Sequence, residues 1–100
     1  MVTVSPLSLD GQLFTATTVE LPETTLLIVS GEKGYIMCGA LDIEVLNGKY
    51  PKRKIAAGRA LGVRTIDQLV EAPLQSVSKA AEELGVKAGM TGKDAMKKFA

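Results

Sequence analysis

The chain has no histidine and no tryptophan, one cysteine, and only two tyrosines and two phenylalanines. Without histidine, Ser-His-Asp and Cys-His pairings, a histidine general base and every His-containing zinc site are excluded within the chain, because no other side chain has an unperturbed pKa near neutrality. Chemistry is left to carboxylates, lysines, tyrosines, arginines, hydroxyls and Cys38. One cysteine forms neither an internal disulfide nor a multi-thiolate metal site, so neither a metal nor a cofactor is expected. Met1 to Thr3 lack the positive charge of a secretory signal, which together with the single cysteine predicts a reducing, cytoplasmic setting. The longest aliphatic run, Leu26 to Val29, is far shorter than the roughly 20 residues of a membrane span, so no membrane is expected. Four aromatics and no long basic stripe make a poor platform for stacking bases, and nucleic acid is an unlikely partner on these grounds.

What is present is 46% hydrophobic and 23% charged residues with a formal charge of +1 over 100 residues, the composition of one globular domain spanning 1–100. A chain of this size buries only about 60 to 70% of its unfolded surface. Association between subunits is therefore a natural supplement to its core. Charge is balanced overall but not along the chain. Residues 1–50 carry Asp10, Glu20, Glu23, Glu32, Asp42 and Glu44 against two lysines, whereas 51–100 carry ten bases against five acids, so the halves are −4 and +5. Between Lys52 and Arg64 lie five bases and no acid, where an anion meets the most favourable local field; a solvated basic loop has the same signature.

Residues 1–39 read as β-structure, and 40–100 as mixed. Asp10-Gly11 between two Val/Thr/Leu-rich runs is a hairpin signal that places strands at 2–9 and 12–21. In the second strand Leu13, Thr15, Thr17, Val19 and Leu21 share one face and Gln12, Ala16, Thr18 and Glu20 the other, an alternation broken only by Phe14, which predicts one buried face. In the first strand the apolar positions switch parity from Val2 and Val4 to Leu7 and Leu9 across Ser5-Pro6, predicting a bulge or an edge position. Pro22-Glu23-Thr24 makes a turn, and Leu26 to Ser30 and Tyr35 to Cys38 flank Gly31-Glu32-Lys33-Gly34 as a second hairpin. The expected fold is α+β: a four-stranded antiparallel meander, a short helix over Ala40 to Leu46, one further strand over Lys54 to Leu61, and two to three short C-terminal helices.

Thr65-Ile66-Asp67-Gln68 is a capping box opening a helix to about Glu71. Pro73 then suits a first helical turn, with Leu74, Val77, Ala81 and Leu84 as an apolar stripe ended by Gly85. Thr91 caps a last helix with Asp94 in its first turn, Ala95, Met96 and Phe99 facing inward and Lys97-Lys98 at its negative end. Gly92-Lys93 is not a phosphate loop, since Lys87 stands where the first glycine is required and Asp94 where Ser or Thr is required.

Two constellations carry chemical content. Cys38 closes a strand before a predicted helix start, where unpaired amides favour a thiolate and Asp42 could serve as a general base. The alternative makes Cys38 an inert core residue and Asp42 a first-turn helix stabiliser. Arg59 and Arg64 flank a turn leading to Thr65, and guanidinium forks there suit a carboxylate or phosphate; the alternative pairs each arginine with the acidic first half.

Three stretches resemble the YunC-like family of small bacterial and archaeal proteins: 34–44 (GYIMCGALDIE), 54–69 (KIAAGRALGVRTIDQL) and 84–92 (LGVKAGMTG). The resemblance implies an α+β fold whose β-rich N-terminal region mediates tetramerisation, and it implies no activity. The sequence thus leads to a cytoplasmic homo-oligomer, a tetramer through residues 1–39, binding a small anionic metabolite near Arg59, Arg64 and Thr65. A Cys38-dependent enzyme supported by Asp42 and a purely structural oligomer are the alternatives.

Overall fold

A computed structural model describes residues 1–39 and 55–100. Its centre is one six-stranded sheet in the order β1-β2-β3-β4-β5-β6. The strands are β1 (Val2–Leu9), β2 (Gln12–Leu21), β3 (Thr24–Ser30), β4 (Tyr35–Met37), β5 (Ala57–Arg59) and β6 (Ser76–Val77). Neighbours pair antiparallel except β4 and β5, which are parallel. Three short helices, α1 (Ile66–Glu71), α2 (Lys79–Glu83) and α3 (Gly92–Lys98), complete the α+β architecture. The helix expected over Ala40 to Leu46, Asp42, and the bases Lys52 to Lys54 lie outside the described residues.

The first hairpin forms where Asp10-Gly11 predicts it, with both residues at positive φ (50° and 83°), as a two-residue turn matching strand twist requires. The register runs unbroken from Val2 opposite Val19 to Leu9 opposite Gln12, so β1 has no bulge. It is an edge strand, the other expected reading of Ser5-Pro6. The parity switch has a different meaning from a bulge. Leu7 and Leu9 turn to the face carrying Phe14, Ala16, Leu27, Val29 and Ile36, while Val2 and Val4 turn to the opposite one.

That pairing settles which face of β2 is buried. Phe14 and Ala16 are 3% and 5% exposed, whereas Leu13 and Leu21 are 73% and 46% exposed. The apparent exception to the alternation, Phe14, marks the core face, because one aromatic ring packed into the core outweighs a run of Leu, Thr and Val that no described helix covers. The core joins this face to Leu69 and Val70 of α1, Leu74, Ala81, Val86, and Ala95, Met96 and Phe99 at the C-terminal end. Gly92 permits close packing of α3 on α1: a Cβ there would sit 2.5 Å from the Leu69 carbonyl oxygen and 2.7 Å from Ile36 Cδ1. Its place in the sequence thus reflects packing, in keeping with the rejected phosphate loop.

One helix is corrected. Pro73 does not open a helix; it bridges to Thr91, and the chain then forms β6 against β5. Helix α2 begins only after Ser78, whose hydroxyl accepts from the Ala81 amide at 3.3 Å. The helical stripe was genuine only at its end. Ala81 is buried, while Leu74 enters the core from an extended segment and Leu84 is 37% exposed. Gly85 does terminate the helix at φ 89°. Its amide donates to Glu82 and that of Val86 to Ala81, the paired bonds that close a helix with a left-handed glycine. Likewise the single further strand expected after residue 54 is two, β5 and β6, the first being shorter than 54–61.

Candidate functional site

Glu23 occupies a position that costs its backbone something. Leu21 pairs with Thr24, leaving Pro22-Glu23 as the two-residue β2–β3 loop, and Glu23 sits at φ 63°. Pro22 fixes its own φ at the first central position of the turn, and the left-handed position that follows is one glycine fills most cheaply. A carboxylate stands there instead.

Arg64 is set by the start of α1. Thr65 is the N-cap, its Oγ1 accepting from the Gln68 amide at 3.1 Å. The Gln68 side chain reaches back one residue further than the usual box, its Oε1 accepting from the Arg64 amide at 2.8 Å. Both partners of the predicted capping box are therefore engaged, and together they fix the Arg64 backbone rather than leave free amides for a ligand. The two arms meet across the sheet end. Leu21, Glu23, Thr24 and Thr25 of the hairpin and Val63 and Arg64 of the β5–α1 segment line a half-open cleft of about 620 Å³, within the usual size of small-molecule sites. Among the described residues neither Glu23 nor Arg64 makes an ion pair.

Arg59 and Cys38 are not among the residues of this lining, and Asp42 lies outside the described residues. Arg59 is in β5, half-buried, opposite Met37 and Ser76. Cys38 is 6% exposed. Its Sγ accepts from the Leu27 amide at 3.5 Å and donates to the Thr25 carbonyl at 3.9 Å, so it sits behind the cleft wall. Sequence reasoning found Arg64 through its basic neighbourhood. It missed Glu23, Thr24 and Thr25, whose only local signal is the Pro22-Glu23 turn.

The chain is thus a one-sheet α+β domain with a half-open cleft whose lining includes an arginine, a glutamate and two threonines, an arrangement that specifies no reaction. The family is more specific: residues 37–99 match the model for a domain of unknown function, DUF1805, and the chain belongs to that family. It is 57% identical to the uncharacterized protein YunC of Bacillus subtilis over 99% of this chain and 98% of that one. It is also similar to the crystal structure of a protein of unknown function from Thermoplasma acidophilum, with a TM-score of 0.88 and 28% identity, covering 100% of this chain and 94% of that chain.

Proposed function

We propose that the protein is a cytoplasmic homo-oligomer that binds a small anionic metabolite in the cleft beside Arg64. The observation that carries the binding reading is Arg64: it lines a cleft of ligand size together with Thr24 and Thr25, and makes no ion pair among the described residues. A guanidinium fork so placed presents several N–H donors to a carboxylate or phosphate. Thr65 acts through Arg64 by capping α1, and Arg59 contributes positive field from β5. The burial of Cys38 favours binding over cysteine-based catalysis, since a buried thiol is shielded from substrate.

The oligomeric part of the reading is supported by the second face of the sheet. Val2, Val4, Pro6 and Ser8 of β1, Leu13, Thr15, Thr17, Val19 and Leu21 of β2, and Thr24, Leu26, Ile28 and Ser30 of β3 share this face, and none is charged. Val2, Val4 and Leu13 are each more than half exposed. Four copies joined through 1–39 would cover it, Leu21 and Thr24 at its end remaining with the cleft. A thermal-shift panel of small carboxylates and phosphates, run on wild type and Arg64→Ala, tests the binding reading. A dose-dependent rise in melting temperature confined to wild type is expected, and the same response in both proteins would overturn it.

A further inference from the structure

We infer that the cleft takes a small zwitterion, a molecule carrying both a carboxylate and an ammonium group, of which amino acids and short peptides are the simplest members. The inference rests on the anion-binding reading and goes further by using the other charge on the wall. Glu23 and Arg64 line the same cleft of about 620 Å³, yet no ion pair joins them. They come from separate elements, the β2–β3 loop and the segment leading into α1, and the backbone of each is set independently. Arg64 is fixed through its amide by Gln68 Oε1 at 2.8 Å. Glu23 is fixed by a two-residue hairpin loop with φ 63°.

A site for a simple anion gains nothing from a carboxylate on its wall, because like charge opposes the ligand. A site for a cation is opposed by the arginine for the same reason. Opposite charges held apart across one cleft are complementary to a ligand with the reverse pair: its carboxylate on Arg64, its ammonium on Glu23. Thr24 and Thr25 add polar groups to the lining, and Leu21 and Val63 add apolar side chains for the intervening aliphatic part.

The test is titration of the ¹⁵N-labelled protein, followed by amide chemical shifts, with three probes of one skeleton: alanyl-alanine, N-acetyl-alanyl-alanine and alanyl-alanine amide. At neutral pH the first carries both charges, the second only the carboxylate and the third only the ammonium. Alanyl-alanine is expected to bind about fivefold more tightly than either singly charged probe, the scale of one solvated charge pair. Shifts are expected at 21–25 and 63–64, with Glu23→Gln removing the preference over the acetylated probe by weakening the dipeptide and slightly tightening the acetylated probe, whose carboxylate no longer meets a like charge. Equal binding of the acetylated probe and the dipeptide would overturn the zwitterion inference and leave the anion reading standing. Binding of the amide but not of the acetylated probe, or no saturable shift with any probe, would overturn both.

Discussion

Ser78 is 1% exposed, and its one hydroxyl makes three bonds. It donates to the Ile55 carbonyl at 2.6 Å and accepts from the amides of Ala57 at 2.9 Å and Ala81 at 3.3 Å. The same atom therefore caps α2 and ties it to the strand at which the parallel part of the sheet begins. Ser78→Ala should destabilise the fold by about 2 to 3 kcal/mol, of which roughly 1 is the cap and the rest the buried carbonyl and amide left without a partner. Urea denaturation checks it, and a loss no larger than that of an exposed cap would show that the two strand bonds are dispensable. Cys38 makes a second residue-scale prediction. Buried and bonded to Leu27 and Thr25, it should react with a thiol reagent in the native state only at the rate of local opening. Stopped-flow labelling at neutral pH is expected to be slow and to accelerate with sub-denaturing urea. Rapid labelling independent of urea would bring cysteine chemistry back to the front.

Between elements, the first hairpin is tied to the last helix by charge. Lys97 Nζ lies 2.6 Å and Lys93 Nζ 3.4 Å from the Asp10 carboxylate at the β1–β2 turn. Hydrogen bonds from Lys97 and then Lys93 hold the Asp10 carboxyl below its ordinary value of 3.8, and Asp10 raises Lys97 above 10.5. A lowered carboxyl stabilises the fold above its unfolded value and stops doing so as the pH falls through the folded one. A raised amine stabilises below its unfolded value and stops as the pH rises through the folded one. The tie thus stands from about pH 4 to pH 10, and it is weak because its members are exposed. Lys97→Gln should lower the melting temperature slightly at neutral pH and low salt, the gap closing as the pH falls below 3.8 and through the lowered Asp10 value, and in about 1 M salt. A gap unchanged by acid would mean Lys97 acts through the α3 terminus instead. Elements defined by local chemistry were legible in the sequence: β1, β2 and their Asp10-Gly11 turn, α1 behind Thr65, α3 behind Thr91. Those defined by partners were not. Pro73 and the apolar spacing of 74–84 mimic a helix, while β6 exists only because β5 is there to pair with it. The cleft was half legible for the same reason, since Arg64 announces itself by local charge but Glu23 joins it only through the fold.

For the whole molecule the decisive asymmetry is that one face of a single sheet is packed under helices while the other, over β1–β3, carries only uncharged side chains. Edge strand β1 borders that open face, and soluble chains ordinarily guard such edges and faces with charge. Here the one charged residue of β1–β3, Glu20, stays off it and turns to the core side of β2. The absence of guarding charge follows if another copy provides the guard. Sedimentation equilibrium at micromolar concentration should give four times the 10.6 kDa chain mass, and the melting temperature should rise with protein concentration by mass action. Leu13→Asp isolates the cause. Leu13 is 73% exposed on the chain alone, so in a monomer the change belongs with surface substitutions worth within about 0.5 kcal/mol, whereas in an assembly it buries an unpaired carboxylate at each copy of the contact. The variant should therefore sediment at the chain mass, keep the wild-type circular dichroism spectrum, and lose the concentration dependence of melting. A 10.6 kDa species for wild type itself would overturn the oligomer, and a Leu13→Asp variant that still assembles would move the contact away from this face.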